Sequence, residues 1–124
     1  MPLPLPTESE LAILRVLWDR GPSSVRQVQQ ALDSPVGYTG ILKLLQLMAA
    51  KGLVRRDESE RAHLYKAAEP RARTEARLVR RLTDRAFGGS TASLVMRALS
   101  DKRASPEELR RIRELLDRPD GKGK

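Results

Sequence analysis

The chain has 124 residues, 40% of them hydrophobic, with a formal charge of +8 and a pI near 10.6. That length suits one compact domain or two very small ones, and the charge points to a polyanionic partner. Cysteine is absent, which excludes disulfides, thiolate metal sites and cysteine nucleophiles, and no apolar run approaches the ~20 residues that cross a bilayer. The N-terminal Met1-Pro-Leu-Pro-Leu-Pro6 has neither a basic start nor a long apolar run, so no signal peptide is expected. A cytoplasmic protein without membrane insertion is the reading.

Thr7-Glu-Ser-Glu10 has capping-box form, and Leu11, Ile13, Leu14, Leu17 and Trp18 then mark the buried face of a first helix. Gly21-Pro22 ends it. Ser23 or Ser24 caps a second helix, in which Val25, Val28 and Leu32 fall at i, i+3 and i+7 before Asp33-Ser34-Pro35 breaks it. A third helix over Tyr38–Lys51 repeats Ile41, Leu44, Leu45 and Met48 in one stripe and stops at Gly52. Strand-like runs Leu53–Arg56 and Ala62–Lys66 follow, joined by the charged tip Asp57-Glu-Ser-Glu-Arg61. Three short helices before a hairpin read as a winged helix-turn-helix, which presents one helix to a DNA major groove and a hairpin to the flanking backbone.

Pro70 marks a boundary between a winged helix over 1–69 and a helical segment over 70–118. In the helix over 72–87, Ala72, Ala76, Leu78, Val79, Leu82 and Ala86 share one half of the wheel, and Arg73, Arg77, Arg80, Arg81 and Arg85 the other. Gly88-Gly89 stops it, Ser90 caps a helix striped by Leu94, Val95, Ala98 and Leu99, and Ser105-Pro-Glu-Glu108 opens a last helix with Leu109, Ile112, Leu115 and Leu116. Residues 119–124 read as a disordered Gly/Lys-rich tail. These helices have too little bulk to bury their stripes alone. They either fold back on their own winged helix or pair with a second copy, and the small size favours a homodimer bonded through Leu82, Leu94, Val95, Leu99, Ile112 and Leu116. The fold class is mainly α with a small β-hairpin.

The early residues of a reading helix approach base edges, which selects Tyr38, Thr39, Gly40, Lys43 and, farther along, Gln46 as the candidate DNA-binding set. A threonine offers a hydroxyl and a methyl, a lysine reaches guanine acceptors or phosphate, and a glutamine pairs with an adenine edge. Thr39 also reads as a helix cap and Tyr38 as packing at the helix entrance. Gly40 costs its helix about 1 kcal/mol relative to alanine. Two reasons for it stay open: close approach of DNA, or a side chain simply lost. In the wing, Arg55, Arg56, Arg61 and Lys66 are candidate phosphate clamps, with Arg55 and Arg61 carried forward, among the repelling Asp57, Glu58 and Glu60. The charge excess lies elsewhere: residues 1–69 hold 9 Lys+Arg against 8 Asp+Glu, and residues 70–124 hold 15 against 8. The arginine face over 73–85 is an ordinary solvated surface or a second track for phosphates.

No catalytic constellation is present: no Gly-rich phosphate loop, no HExxH, no nucleophile elbow. A lone histidine, His63, without cysteine makes neither a zinc site nor a catalytic base, and no cofactor is expected.

Leu5-Pro-Thr-Glu-Ser-Glu10, Val16-Leu-Trp18, Gly21-Pro22, Val25-Arg-Gln-Val28, Tyr38-Thr39, Leu44-Leu-Gln46, Lys51-Gly-Leu-Val54 and Phe87-Gly-Gly-Ser90 stand in an order and spacing that is specific together. Over about residues 5–118 the chain resembles the penicillinase and methicillin-resistance repressors (BlaI/MecI type), a family that also includes the CopY-type copper-transport repressors. The resemblance implies a homodimer with N-terminal winged helices, a helical dimerisation domain and repression through a dyad-symmetric operator. It also implies a membrane sensor protease as the partner that triggers release. Three departures accompany it: Gly40 replaces a common second threonine, Leu47 an arginine, and Arg97-Ala98 lies where proteolysed members carry Asn-Phe. The copper branch senses through C-terminal cysteine pairs, which this chain lacks. The expected function is sequence-specific DNA-binding repression; the rivals are a winged helix that binds only protein, and an RNA-binding protein. The 3% aromatic content argues against the latter.

Overall fold

The computed structural model describes residues 3–33, 35–59 and 63–118. Among these residues, six helices and one hairpin occur in the order α1 (Glu8–Arg20), α2 (Val25–Leu32), α3 (Tyr38–Lys51), β1 (Val54–Asp57), β2 (Leu64–Ala67), α4 (Arg71–Ala86), α5 (Thr91–Ser100) and α6 (Pro106–Leu116). The chain forms two compact units, residues 1–79 and 80–124, with the division inside α4. The expected mainly α architecture with a small hairpin is the observed one. Arg61 and the tail over 119–124 lie outside the described residues.

In the first unit, side-chain caps set the helix starts. Thr7 Oγ1 accepts from the Glu10 N–H at 3.2 Å while Glu10 Oε1 accepts from the Thr7 N–H at 2.9 Å. Ser24, not Ser23, makes the same box with Gln27 at the start of α2. Apolar periodicity then aims Ile13, Leu14 and Leu17, Val25 and Val28, and Ile41, Leu45 and Met48 into one core, closed by Leu53, Val54 and Tyr65. Trp18, Leu32 and Leu44 are half-buried against its margin, and Leu11 is half-buried as well. Gly52 stops α3 in the left-handed region (φ 87°), and Leu3 Cδ2 lies 3.0 Å from where a Cβ would stand. Both features favour glycine there.

The hairpin is antiparallel, pairing Val54 with Ala67, Arg55 with Lys66, Arg56 with Tyr65 and Asp57 with Leu64. A third short segment joins it. Ser23 exchanges both backbone hydrogen bonds with Tyr65, at 2.9 and 2.8 Å, which fastens the α1–α2 turn to β2. Burial of the Ser23 backbone in this bridge explains why the capping role falls to Ser24.

Two partly buried ion pairs brace the unit. Glu10, 2% exposed, accepts from Lys51 Nζ at 2.6 Å, tying the start of α1 to the end of α3. Glu69 Oε1 accepts from Arg77 Nη2 at 2.6 Å and from Thr74 Oγ1 at 2.8 Å. Arg77 also donates to the Leu3 carbonyl at 2.9 Å, and Trp18 Nε1 donates to the Glu69 carbonyl at 3.1 Å. Arg77 therefore leaves the solvated arginine face to which the helical wheel assigns it, and Thr74, not an alanine, is the buried residue of the first turns of α4. Burial works to raise the pKa of Glu69, yet the hydrogen bonds from Arg77 and Thr74, with the charges of Arg77 and Arg73, outweigh it and hold the carboxyl below its ordinary value.

In the second unit, Ser90 caps α5 by accepting from the Ser93 N–H at 3.0 Å. Ser105 and Glu108 form a capping box on α6 with Pro106 inside its first turn. Leu94, Leu99, Leu109 and Ile112 are half-buried. Leu82, Val95, Met96, Leu115 and Leu116 are exposed, up to 72% for Leu116, and α5 and α6 bury no residue fully.

Candidate nucleic-acid interface

Residues on α3 divide by the helical repeat. Ile41, Leu45 and Met48 face the core, which turns Thr39, Lys43, Gln46, Leu47 and Ala50 outward, all exposed. Tyr38 opens the helix, 43% exposed, with the Arg26 guanidinium 5.5 Å from its ring centre. That cation–π contact positions Arg26, from the first turn of α2, beside the start of α3. The N-cap of α3 is Gly37, which has no side chain with which to make a capping hydrogen bond. Thr39 lies inside the helix and is not its cap.

Tyr38 and Gln46 share a cleft of about 430 Å³ with Arg26, Arg56 and His63. The cleft runs between the start of α2, the side of α3 and the hairpin. Arg56 Nη2 donates to His63 Nδ1 at 2.8 Å, which requires the His63 proton on Nε2, and Arg56 Nε lies 3.2 Å from Glu58 Oε2. Strand alternation puts Arg55 on the opposite face of the hairpin from Arg56. Arg55 stands directly across from Lys66, both exposed. Like charges facing each other across a ladder are unfavourable without an anion between them.

The candidate residues thus fall into three places. Thr39 and Lys43 lie along the outward line of α3, Tyr38 and Gln46 border the cleft, and Arg55 lies on the far face of the wing. Arg26 is not among the candidates that the sequence selects: it stands two residues after a capping serine, inside Val25-Arg-Gln-Val28. Arg56 and His63 acquire their shared position from the hairpin register.

Gly40 has a structural reason. A Cβ built there would stand 2.4 Å from Val36 Cγ1, so the valine of the α2–α3 turn already fills that space. Val36 remains 40% exposed.

Among the described residues, no group of three or more His, Asp or Glu is placed to hold a metal ion, and no helix is long and apolar enough to cross a membrane. The chain is similar to two proteins described as "Transcriptional regulator BlaI", from Mycobacterium tuberculosis strains CDC 1551 / Oshkosh and ATCC 25618 / H37Rv. Each is 41% identical over 59 residues, which cover 45% of this chain and 43% of the relative. The match spans less than half the length of those curated relatives. Residues 6–118 match the penicillinase repressor family, and with that extent of agreement the chain belongs to it.

Proposed function

We propose that this protein is a sequence-specific DNA-binding transcriptional repressor in the cytoplasm, acting as a homodimer on a dyad-symmetric operator. Residues 1–69 bind the duplex and residues 70–118 dimerise. The observation that carries the reading is the outward face of α3. It offers Thr39, Lys43 and Gln46 in one row, with Arg26 and Arg56 to one side and the Arg55–Lys66 pair on the wing. A helix with such an edge fits a major groove, and paired cations on the hairpin fit the phosphates beside it.

Lys43 meets a base edge or phosphate in each half-site, Gln46 a base edge or the backbone, and Arg55 and Arg26 the phosphates. The apolar faces of α5 and α6 find their cover in a second copy, through Leu82, Leu94, Val95, Leu99, Ile112 and Leu116. No cleavage at α5 by a sensor protease is proposed, because the aligned bond there is Arg97-Ala98.

Titrating the protein's own upstream region by fluorescence anisotropy at several salt concentrations tests the reading. Affinity should fall steeply with salt, with a slope near 0.9 for each phosphate neutralised. Lys43→Ala should lower affinity about tenfold or more while leaving the circular dichroism spectrum unchanged. An affinity indifferent to salt, or a Lys43→Ala variant that binds like the wild type, would remove the assignment.

A further inference from the structure

Two exposed apolar side chains flank the polar reading residues: Leu47 on α3 itself, and Val36 in the turn before it, where it borders a hollow against α1 and the end of α2. Leu47 is 51% exposed and lies one turn beyond Lys43 on the outward side. Val36 is 40% exposed, and its Cγ1 occupies the space that a side chain at position 40 would fill. Positions 40 and 47 are seven residues apart, so they lie almost on one line along the helix, roughly 10 Å from each other. Val36 thus acts as the missing side chain of the first turn, and Leu47 presents a second apolar group two turns on. Roughly 10 Å is the span of about three base steps along one strand.

The thymine C5-methyl is the apolar group that the major groove displays. We propose that Val36 and Leu47 are specificity-determining residues, each seating a thymine methyl in the half-site. The proposal rests on α3 being the groove-facing helix. Gly40 belongs to the device: any side chain there would displace the Val36 methyl from the first turn. Hydrogen bonding by Thr39, Lys43 and Gln46 selects neighbouring bases, and the two methyl contacts add a preference for thymine at two further positions.

The test begins with the full chain selecting duplexes from a random pool. Each thymine of the selected half-site is then replaced by deoxyuridine, which pairs identically and lacks only the methyl. Expected are two positions, about three steps apart, at which the wild type loses about fourfold in affinity per half-site, the worth of one buried methyl. Leu47→Ala should abolish the sensitivity at one position and Val36→Ala at the other. Leu47→Met, which keeps an apolar tip, should retain it. A selected operator indifferent to uracil at every position, or a sensitivity that survives both alanine variants, overturns the thymine assignment and leaves DNA binding standing. A pool that never enriches overturns the groove-facing role of α3, and this proposal with it.

Discussion

Glycine at position 40 is held in place by a neighbour four residues earlier. In a free helix Gly40→Ala would gain about 1 kcal/mol. Here the added Cβ meets Val36 Cγ1 at 2.4 Å, and a β-branched side chain has few rotamers into which it can retreat. Overpacking of this kind costs about 1–3 kcal/mol. Gly40→Ala alone should therefore destabilise the protein by about 1 kcal/mol in urea unfolding, and the same change in a Val36→Ala background should stabilise it by about as much. A gain in both backgrounds would mean that Val36 yields freely. The sequence alone leaves the reason for Gly40 open, because the deciding atom belongs to a turn with no periodicity. Thr39, Lys43 and Gln46 are legible as an outward set because one helix's own repeat fixes their direction; whether they touch bases is a matter of binding, which periodicity does not report.

At the scale of elements, helix starts and buried stripes of α1, α2 and α3 are readable because caps and periodicity are local. Long-range pairings are not. The Ser23–Tyr65 bridge and the Arg77–Glu69 pair connect residues whose spacing carries no signal, so Ser23 reads as a cap and Arg77 as solvated surface. Side-chain spacing also does not single out Thr74 and Thr83, which are buried in α4 while Ala72 and Ala76 are exposed in the single chain. The Glu69 network has a pH consequence. A carboxyl whose pKa is lower folded than unfolded adds stability that is complete above the unfolded value, and loses it as pH falls through the folded one. For Glu69 the ordinary value is 4.5, so the loss should set in below about that pH. Glu69→Gln should be less stable than the wild type at pH 7, and the gap should narrow on acidification toward pH 3. Thermal melts of both proteins across that range measure it. A constant gap would show that Glu69 contributes without its charge.

At the scale of the whole molecule, the two units differ in how they satisfy their apolar residues. Every fully buried hydrophobic side chain among the described residues precedes α4. The second unit leaves Val95 39% exposed and Met96 67% exposed on a helix whose caps are in place. A well-formed helix with an open apolar stripe is stable in a small protein when another surface covers it. Sedimentation equilibrium should therefore report a dimer, and Val95→Asp should shift it to monomer while lowering operator affinity at least tenfold. A Val95→Asp protein that remains dimeric would place the contact elsewhere. Composition and helical repeat make this unit's stripes readable, and the identity of their cover is absent from any single chain.

The bridge between Ser23 and Tyr65 also bears on behaviour at high concentration. With β1 on one side and Ser23 on the other, the middle of β2 has no free rim to offer a neighbouring molecule. The outer rim of β1 stays available, and there Arg55, Arg56 and Asp57 follow one another. Charged residues on an exposed rim discourage strand-by-strand growth. This small sheet is thereby guarded against aggregation by one bridging serine and a run of three charges.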